Sequence, residues 1–340
     1  MSAEISGTPG PLGPLSASLT RFAPAPTGWL HLGHVLNALY VWNTARAAGC
    51  RVMLRIEDHD RERCRPEYER GILDDLDWLE FVPGVYPTRM FRAGRCDGRQ
   101  SDRDAVYHEA LGLLRDRGLI YACDCTRPSL AAAGAPPDPA GELKYPGTCR
   151  DRNLPLADGL GWRVCLPAGV EVFEDALLGR QEQSPAEQCG DMLIRDRLGN
   201  WTYQFAVTVD DWRQGIDLVI RGMDLLPSTG RQIQLARLLG REVPPIYMHH
   251  PLMMKTPDQK LSKSDRATGI RNLRAEGWTR DQVLAAAGDN REPVAAGRVR
   301  PPSPRLRRVR QSFSGGGRPG RHNCRSVVWA RGLQTTGLGG

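Results

Sequence analysis

The stretch RFAPAPTGWLHLGH, Arg21 to His34, joins a short apolar segment, LTRFA, to a long helical pattern. In LGHVLNALYVWNTARAAG the apolar residues Val35, Leu36, Leu39, Tyr40 and Val41 keep a helical spacing that ends at Gly49. A β-type run, RVMLRIED, follows, then a helix opened by Pro66 in RPEYERGILDDLDWLE. A further helix, SDRDAVYHEALGLLRDRGL, is expected to be capped by Ser101 or Asp102, with acids in its first turn. Strand, helix, strand, helix restricts the chain to an α/β fold with a parallel sheet, whose ligands gather at the carboxyl ends of the strands. The turn has chemistry to match. Glycine and proline let backbone approach a ligand closely, and the following helix offers free N–H groups at its positive end near Gly33. His31 and His34 stand beside it as further donors. This suits phosphates, without the lysine of a Walker loop. Taken alone, the stretch is equally a capped turn with two surface histidines.

Lysine is scarce, with four in the whole chain, at positions 144, 255, 260 and 263. Two of them fall in KLSKS, Lys260 to Ser264, after the β-like PPIYMHHPLMM. Two ammonium groups on a polar loop suit the charge that develops on a leaving pyrophosphate. A lone Lys-Ser pair is a solvated loop; paired with the histidine turn upstream, it becomes specific.

The net charge of +7 misleads about the body of the chain. From Asp289 to Gly340 there are eleven Arg, no Lys and two acids, a balance of +9, so the other 288 residues carry −2. That tail, rich in Gly, Pro, Ser and Arg, has no helical or strand period. It is read either as a disordered basic arm that attracts RNA phosphates or as a C-terminus without function. Residues 1–19 form a Pro/Gly/Ser leader that lacks the charged start of a secretory signal. No apolar run approaches the ~18 residues of a membrane span. Nine irregularly placed cysteines without an export signal point to reduced thiols, some binding metal, and to a cytoplasmic protein. Residues 20–288 are the expected globular domain.

The motifs carry a resemblance. PAPTGWLHLGH and KLSKS resemble the HIGH and KMSKS signatures of class I aminoacyl-tRNA synthetases. Together with RFAPAPTG, RIED and YQFAVTVDDWRQGIDLVIRGMDLLPSTGRQ they are similar to the glutamyl branch, over about residues 20–288. The resemblance implies a Rossmann-type catalytic domain with a small zinc-binding insertion, making an adenylate from L-glutamate and ATP, with Mg²⁺ on the departing pyrophosphate. It implies ATP contacts for His31, Gly33, His34 and Lys263, with His31, His34, Lys260 and Lys263 serving the chemistry. Arg21 to Ala25 (Arg21, Phe22, Ala23, Pro24, Ala25) are implied to line the glutamate site with Glu57, Tyr203 and Arg221. A dicarboxylate needs two cations, and arginine offers bidentate geometry; which arginine takes which carboxylate stays open. Glu57 corresponds to the acid that holds the substrate ammonium, and Tyr203 to a hydroxyl of that site. The chain departs from many relatives at Ala25, where they carry serine in APSP.

A second constellation is YACDCTRP and KYPGTCRD, around 120–150. Cys123, Cys125 and the distant Cys149 are three thiolates that one oxygen or nitrogen ligand would complete into a tetrahedral zinc site. The resemblance implies Tyr145 as that fourth ligand. The remaining cysteines, at 50, 64, 96, 165, 189 and 324, form no such group. Beyond Ser264 only 76 residues follow, the last ~50 unsuited to folding, where full synthetases of this branch carry a helical anticodon-binding region. This is similar to a subgroup that activates glutamate without tRNA. It transfers glutamate to the cyclopentenediol of queuosine, the modified wobble base of tRNA(Asp). The alternatives are a shortened synthetase charging tRNA(Glu), and a synthetase-like binding protein that no longer transfers. The intact histidines, Glu57 and both motif lysines argue against the last.

Overall fold

The computed structural model describes residues 17–256, 259–260 and 269–288. Eleven strands are described: β1 Leu19–Phe22, β2 Arg51–Leu54, β3 Ile120–Cys123, β4 Gly161–Val164, β5 Glu171–Asp175, β6 Gly179–Gln183, β7 Met192–Arg195, β8 Leu218–Gly222, β9 Ile246–His250, β10 Met254–Thr256 and β11 Gln259–Lys260. Six of them form the main sheet in the order β2-β1-β8-β9-β5-β6. All its pairings are parallel except β5 with β6. This is the parallel α/β sheet expected from the alternation of elements. β3, β4 and β7 make a separate antiparallel sheet, and β10 pairs antiparallel with β11.

The long helix after the histidine turn spans Leu32–Ala48 and ends at Gly49, as its pattern predicts. With the Pro66–Trp78 helix it covers the β1–β2 edge of the sheet. Phe22, Val35, Leu39, Leu54, Ile72, Leu76 and Ile220 pack there in one apolar cluster. Each such side chain contributes ~1.5–3 kcal/mol on burial. A second cluster joins the antiparallel sheet to the body through Leu114, Val164, Ile194, Phe205 and Leu235. Of two smaller clusters, the lesser has only Cys123, Leu130, Tyr145 and Cys149 as buried members. Four side chains, two of them thiols, make a meagre core, the kind that small folds complete with a metal.

One helix start differs from expectation. Gln100–Asp102 forms a 3₁₀ turn and the α-helix runs Asp104–Asp116, with no side-chain cap at Arg103. Ser101 and Asp102 are engaged elsewhere. The Ser101 N–H donates to Asp58, and Asp102 accepts from the Cys96 N–H and from Arg99. A capping residue competes with every other donor and acceptor in reach, and here tertiary partners win.

Candidate active site and metal centre

The site collects at the carboxyl ends of β1, β2, β8, β9 and β5, where the strand order reverses between β1 and β8. At the first of these ends the chain turns into the Leu32–Ala48 helix. His31 is its N-cap, and the caps are reciprocal: the Gly33 N–H donates to His31 Nδ1, and the His31 N–H donates to His34 Nδ1, each at 3.1 Å. The two rings lie 3.9 Å apart, centre to centre. Because both Nδ1 atoms accept, the proton of a neutral ring here belongs on Nε2. The N–H groups of His31 and Gly33, expected from the sequence to stand open at the helix start, are thus taken up by the two rings. Gly33 is required for this arrangement, since a Cβ there would fall 2.9 Å from His31 Cε1.

Beside this turn, alternating charges form a buried chain. Arg21 Nε–H donates to Asp211 Oδ1 at 3.2 Å and its Nη1 to the Ile220 carbonyl at 3.1 Å. Arg55, fully buried, donates to the same Asp211 oxygen at 2.7 Å and to Glu57 Oε1 at 3.0 Å. Burial alone would raise the Asp211 carboxyl, but Arg21 and Arg55 outweigh it and hold it below the ordinary value. Its neighbour Asp210, on the same Tyr203–Arg213 helix, takes Gln100, Arg103 and Tyr107, so adjacent acids anchor two different segments. Tyr203 opens that helix. Burial raises its hydroxyl, with Arg221, Glu57, Arg21 and Asp211 all near enough to act on it.

Arg221 is held differently. It is 3% exposed, and its contacts are neutral: His249 Nε2 at 3.0 Å, Gln232 Oε1 at 2.7 Å and Thr229 Oγ1 at 2.8 Å. The β8–β9 register pairs Arg221 directly with His249, which puts both on one face. His249 Nε2 accepts from arginine, so its proton lies on Nδ1, which donates to Asp175 Oδ2 at 2.6 Å. Burial, and then Arg221 itself, push His249 below the usual imidazole value against the pull of Asp175. Arg21 and Arg55 are thus balanced by Asp211 and Glu57, while Arg221 has no carboxylate in direct contact among the described residues. A buried guanidinium with no carboxylate in direct contact suits an anionic ligand group. From Gln232 the polar chain continues through Gln204 to Glu142 in the insertion.

The cysteines meet as expected. The sulfurs of Cys123, Cys125 and Cys149 lie within 4.8 Å of one another, with Cys125 and Cys149 at 3.6 Å. Tyr145 Oη is 3.5 Å from Cys123 Sγ and accepts from the Cys149 N–H at 2.8 Å. Zinc–thiolate bonds of ~2.3 Å in a tetrahedron separate sulfurs by roughly 3.8 Å, so the donor set fits a zinc-sized dication. Burial works against a Cys123 thiolate, but Tyr145 and Arg163 bring that thiol below its ordinary value, while burial and the facing thiols push Cys125 up to about 12. A bound dication would favour the thiolate form at such a cluster. Arg163 also lies over the Tyr145 ring at 3.6 Å, and buried Asp191 ties Tyr121 and Arg150 to the same unit.

Of the residues singled out in the sequence, the fold brings together Arg21, Glu57, Tyr203 and Arg221, and separately His31, Gly33 and His34. Phe22 is the exception: its side chain is 1% exposed in the apolar core, against Trp42, so only its backbone belongs to the strand end. Ala23 and Ala25 are half-buried and Pro24 is buried in the turn. Lys260 ends β11; Lys263 and Ser264 lie outside the described residues. Arg55, Asp211, His249 and Asp175 had not been singled out. The run RIED and the paired acids of VDDW were the trace of Arg55 and Asp211 in the sequence; His249 and Asp175 left none.

Comparison with known proteins places these residues in context. The family model for the catalytic domain of class I tRNA synthetases (E and Q) matches residues 18–151 and 160–288. The glutamyl-Q tRNA(Asp) synthetase of Rhodobacter capsulatus is 40% identical over 280 residues, which take in 76% of this chain and 95% of that protein. The glutamate–tRNA ligase of Frankia casuarinae is 37% identical, over 76% of this chain and 52% of the other. Among solved structures, the glutamate–tRNA synthetase of Elizabethkingia anophelis superposes with a TM-score of 0.66 at 27% identity, covering 82% of this chain and 64% of that one. No helix among the described residues is long and apolar enough to cross a membrane.

Proposed function

The chain belongs to the class I tRNA synthetases for glutamate and glutamine, and on that premise we propose that it activates L-glutamate with ATP, without tRNA, and transfers it to queuosine in tRNA(Asp). The observation that carries the reading is Arg221, a buried cation contacted by neutral groups, which acts on Tyr203 together with Arg21, Asp211 and Glu57 of the separate buried ion-pair chain. Glutamate brings two carboxylates and one ammonium. Arg221 takes one carboxylate and Arg21 lies near the other, while Glu57, whose Arg55 bonds both fall on Oε1, accepts from the ammonium with Oε2. Tyr203 donates its hydroxyl inside the same pocket. ATP enters as its magnesium complex over the His31–Gly33–His34 turn, with Lys260 and Lys263 closing on the phosphates.

The α-carboxylate oxygen of glutamate attacks the α-phosphorus. A new O–P bond forms, the bond to the bridging oxygen breaks, and pyrophosphate leaves with that electron pair. The Nε2–H donors of His31 and His34 and the ammonium groups of the lysines stabilise charge that grows in that transition state. In the second step a hydroxyl of the queuosine ring attacks the adenylate carbonyl, AMP departs, and the hydroxyl proton goes to solvent. Cys123, Cys125, Cys149 and Tyr145 would hold zinc as a structural ion, which supplies folding energy to the insertion and takes no part in either step.

ATP–pyrophosphate exchange with glutamate alone tests the first half, and glutamylation of tRNA(Asp) with and without queuosine tests the second. Exchange that needs tRNA would overturn the reading. The Frankia ligase supports one rival, charging of tRNA(Glu), whose signature would be glutamate on the terminal ribose.

A further inference from the structure

On the outer flank of the histidine turn a groove of about 740 Å³ separates the Pro66–Trp78 helix from the short Ile270–Ala275 helix. None of the residues given a role above lines it. Three indoles do: Trp29, Trp78 and Trp278. Eight tryptophans in 340 residues make three in one groove an uneven use of the residue. Trp29 packs against the helix at Gly71, where a Cβ would fall 2.4 Å from its ring. The outer face of Trp29 carries the Arg271 guanidinium at 4.7 Å, and Trp78 carries Arg274 at 5.0 Å. Trp278 is 37% exposed.

The polar groups are as specific. Arg70 and Arg271 are exposed and form no ion pair with a described residue. Arg274 donates to Oδ1 of Asp75 at 2.8 Å, and Asp75 is 2% exposed, yet its Oδ2 has no hydrogen-bond partner. A buried carboxylate oxygen without a donor is costly, so the groove is short of one N–H.

We propose that this groove binds one unpaired nucleotide of the RNA substrate. The inference rests on the reading that the chain acts on tRNA, and adds where an unstacked base is held. Base faces stack on indole and guanidinium planes, exposed arginines take the flanking phosphates, and an exocyclic amine supplies the donor that Asp75 lacks. The groove also adjoins the chemistry: Trp29 precedes His31 by two residues, and Gly269, at the head of the second helix, bridges to His31. A nucleotide held there keeps the RNA beside the adenylate without occupying the adenylate's site.

The test uses the full chain with the variants Trp278→Ala, Trp278→Phe and Arg271→Ala. Stacking is worth ~1–3 kcal/mol per base, so Trp278→Ala should weaken tRNA(Asp) binding, and raise the KM for tRNA, roughly 5- to 150-fold. Trp278→Phe should restore most of it, and glutamate-dependent pyrophosphate exchange and Tm should stay at wild-type values. Arg271→Ala should reduce the salt slope of binding. Direct titration separates this inference from the function proposed above. If the wild type exchanges pyrophosphate but glutamylates no tRNA, that function fails, while preference for single-stranded over duplex RNA, lost in Trp278→Ala, still supports the groove. Unchanged RNA affinity in Trp278→Ala would overturn it. So would a change in oligomeric state without a change in RNA affinity, which would make the groove a contact between copies of the chain.

Discussion

Arg221 owes its orientation to groups that carry no charge, and that arrangement is sensitive to acid. His249 sits below 6.5 in the folded chain, because burial and Arg221 disfavour the imidazolium. Below that value the unfolded chain binds more protons than the folded one, so stability falls as pH drops through 6.5 and onward through the lower folded value. Binding follows the same sign: a protonated His249 faces Arg221 with like charge and loses the acceptor that orients it. The glutamate KM in the exchange assay should therefore rise only as pH falls through the folded value of His249, on the acid side of 6.5. His249→Gln, which keeps an acceptor near Nε2 but does not titrate, should flatten that acid limb. Arg221→Lys loses the planar fork with its Gln232 and Thr229 bonds and should reduce kcat/KM for glutamate roughly 10- to 150-fold, the worth of a charged hydrogen bond. Arg221 itself was legible in the sequence; His249 was not. A histidine inside a β-run gives no sign of its neighbour, and only the β8–β9 register, a pairing over 28 positions of sequence, sets it against the arginine.

At the scale of elements, the strand and helix pattern was legible because each period is local: β1, the Leu32–Ala48 helix, β2 and the Pro66–Trp78 helix all fall where spacing puts them. Caps were less so. Thr279 caps the Arg280–Ala286 helix, whereas Ser101 and Asp102 give their bonding capacity to Asp58, Cys96 and Arg99. At the histidine turn the cap is also the proposed ATP site, which makes Gly33→Ala informative. The added Cβ must displace the His31 ring, breaking a cap worth ~0.5–2 kcal/mol, and the KM for ATP should rise while that for glutamate holds. The insertion that carries the three-cysteine cluster gives the complementary case. Its own cluster is small, so Cys123→Ser should release about one equivalent of zinc, by metal analysis, and lower Tm. Native protein purified without chelators that carries no zinc would count against that centre. The spacing of the three cysteines announced the cluster. Arg163 and Asp191, which orient it, arrive from β4 and the end of the Pro185–Cys189 helix, and no local pattern names them.

For the whole molecule the question is how a chain whose first 288 residues balance at −2 meets a polyanion. Nonspecific attraction cannot come from that net charge, so contacts must be local, and the eleven arginines of 289–340 are the other candidate. Deleting 289–340 separates the two. If the tail carries phosphate contacts, each one lost should flatten the salt dependence of tRNA binding by roughly 0.7–0.9 in log–log slope. The expected result is the other one, with slope and transfer unchanged, because the residues proposed to hold glutamate, the histidine turn and the Trp–Arg groove all lie within residues 17–288. The same preparation then decides the acceptor. With radiolabelled glutamate and queuosine-containing tRNA(Asp), nuclease cleavage should leave the label on the anticodon-loop fragment, and tRNA(Asp) lacking queuosine should take none. Label on the terminal adenosine of tRNA(Glu) would instead mean that the adenylate made here is delivered to a ribose. In that event the pocket built on Arg21, Glu57 and Arg221 would stand, and the transfer half of the proposed function would fall.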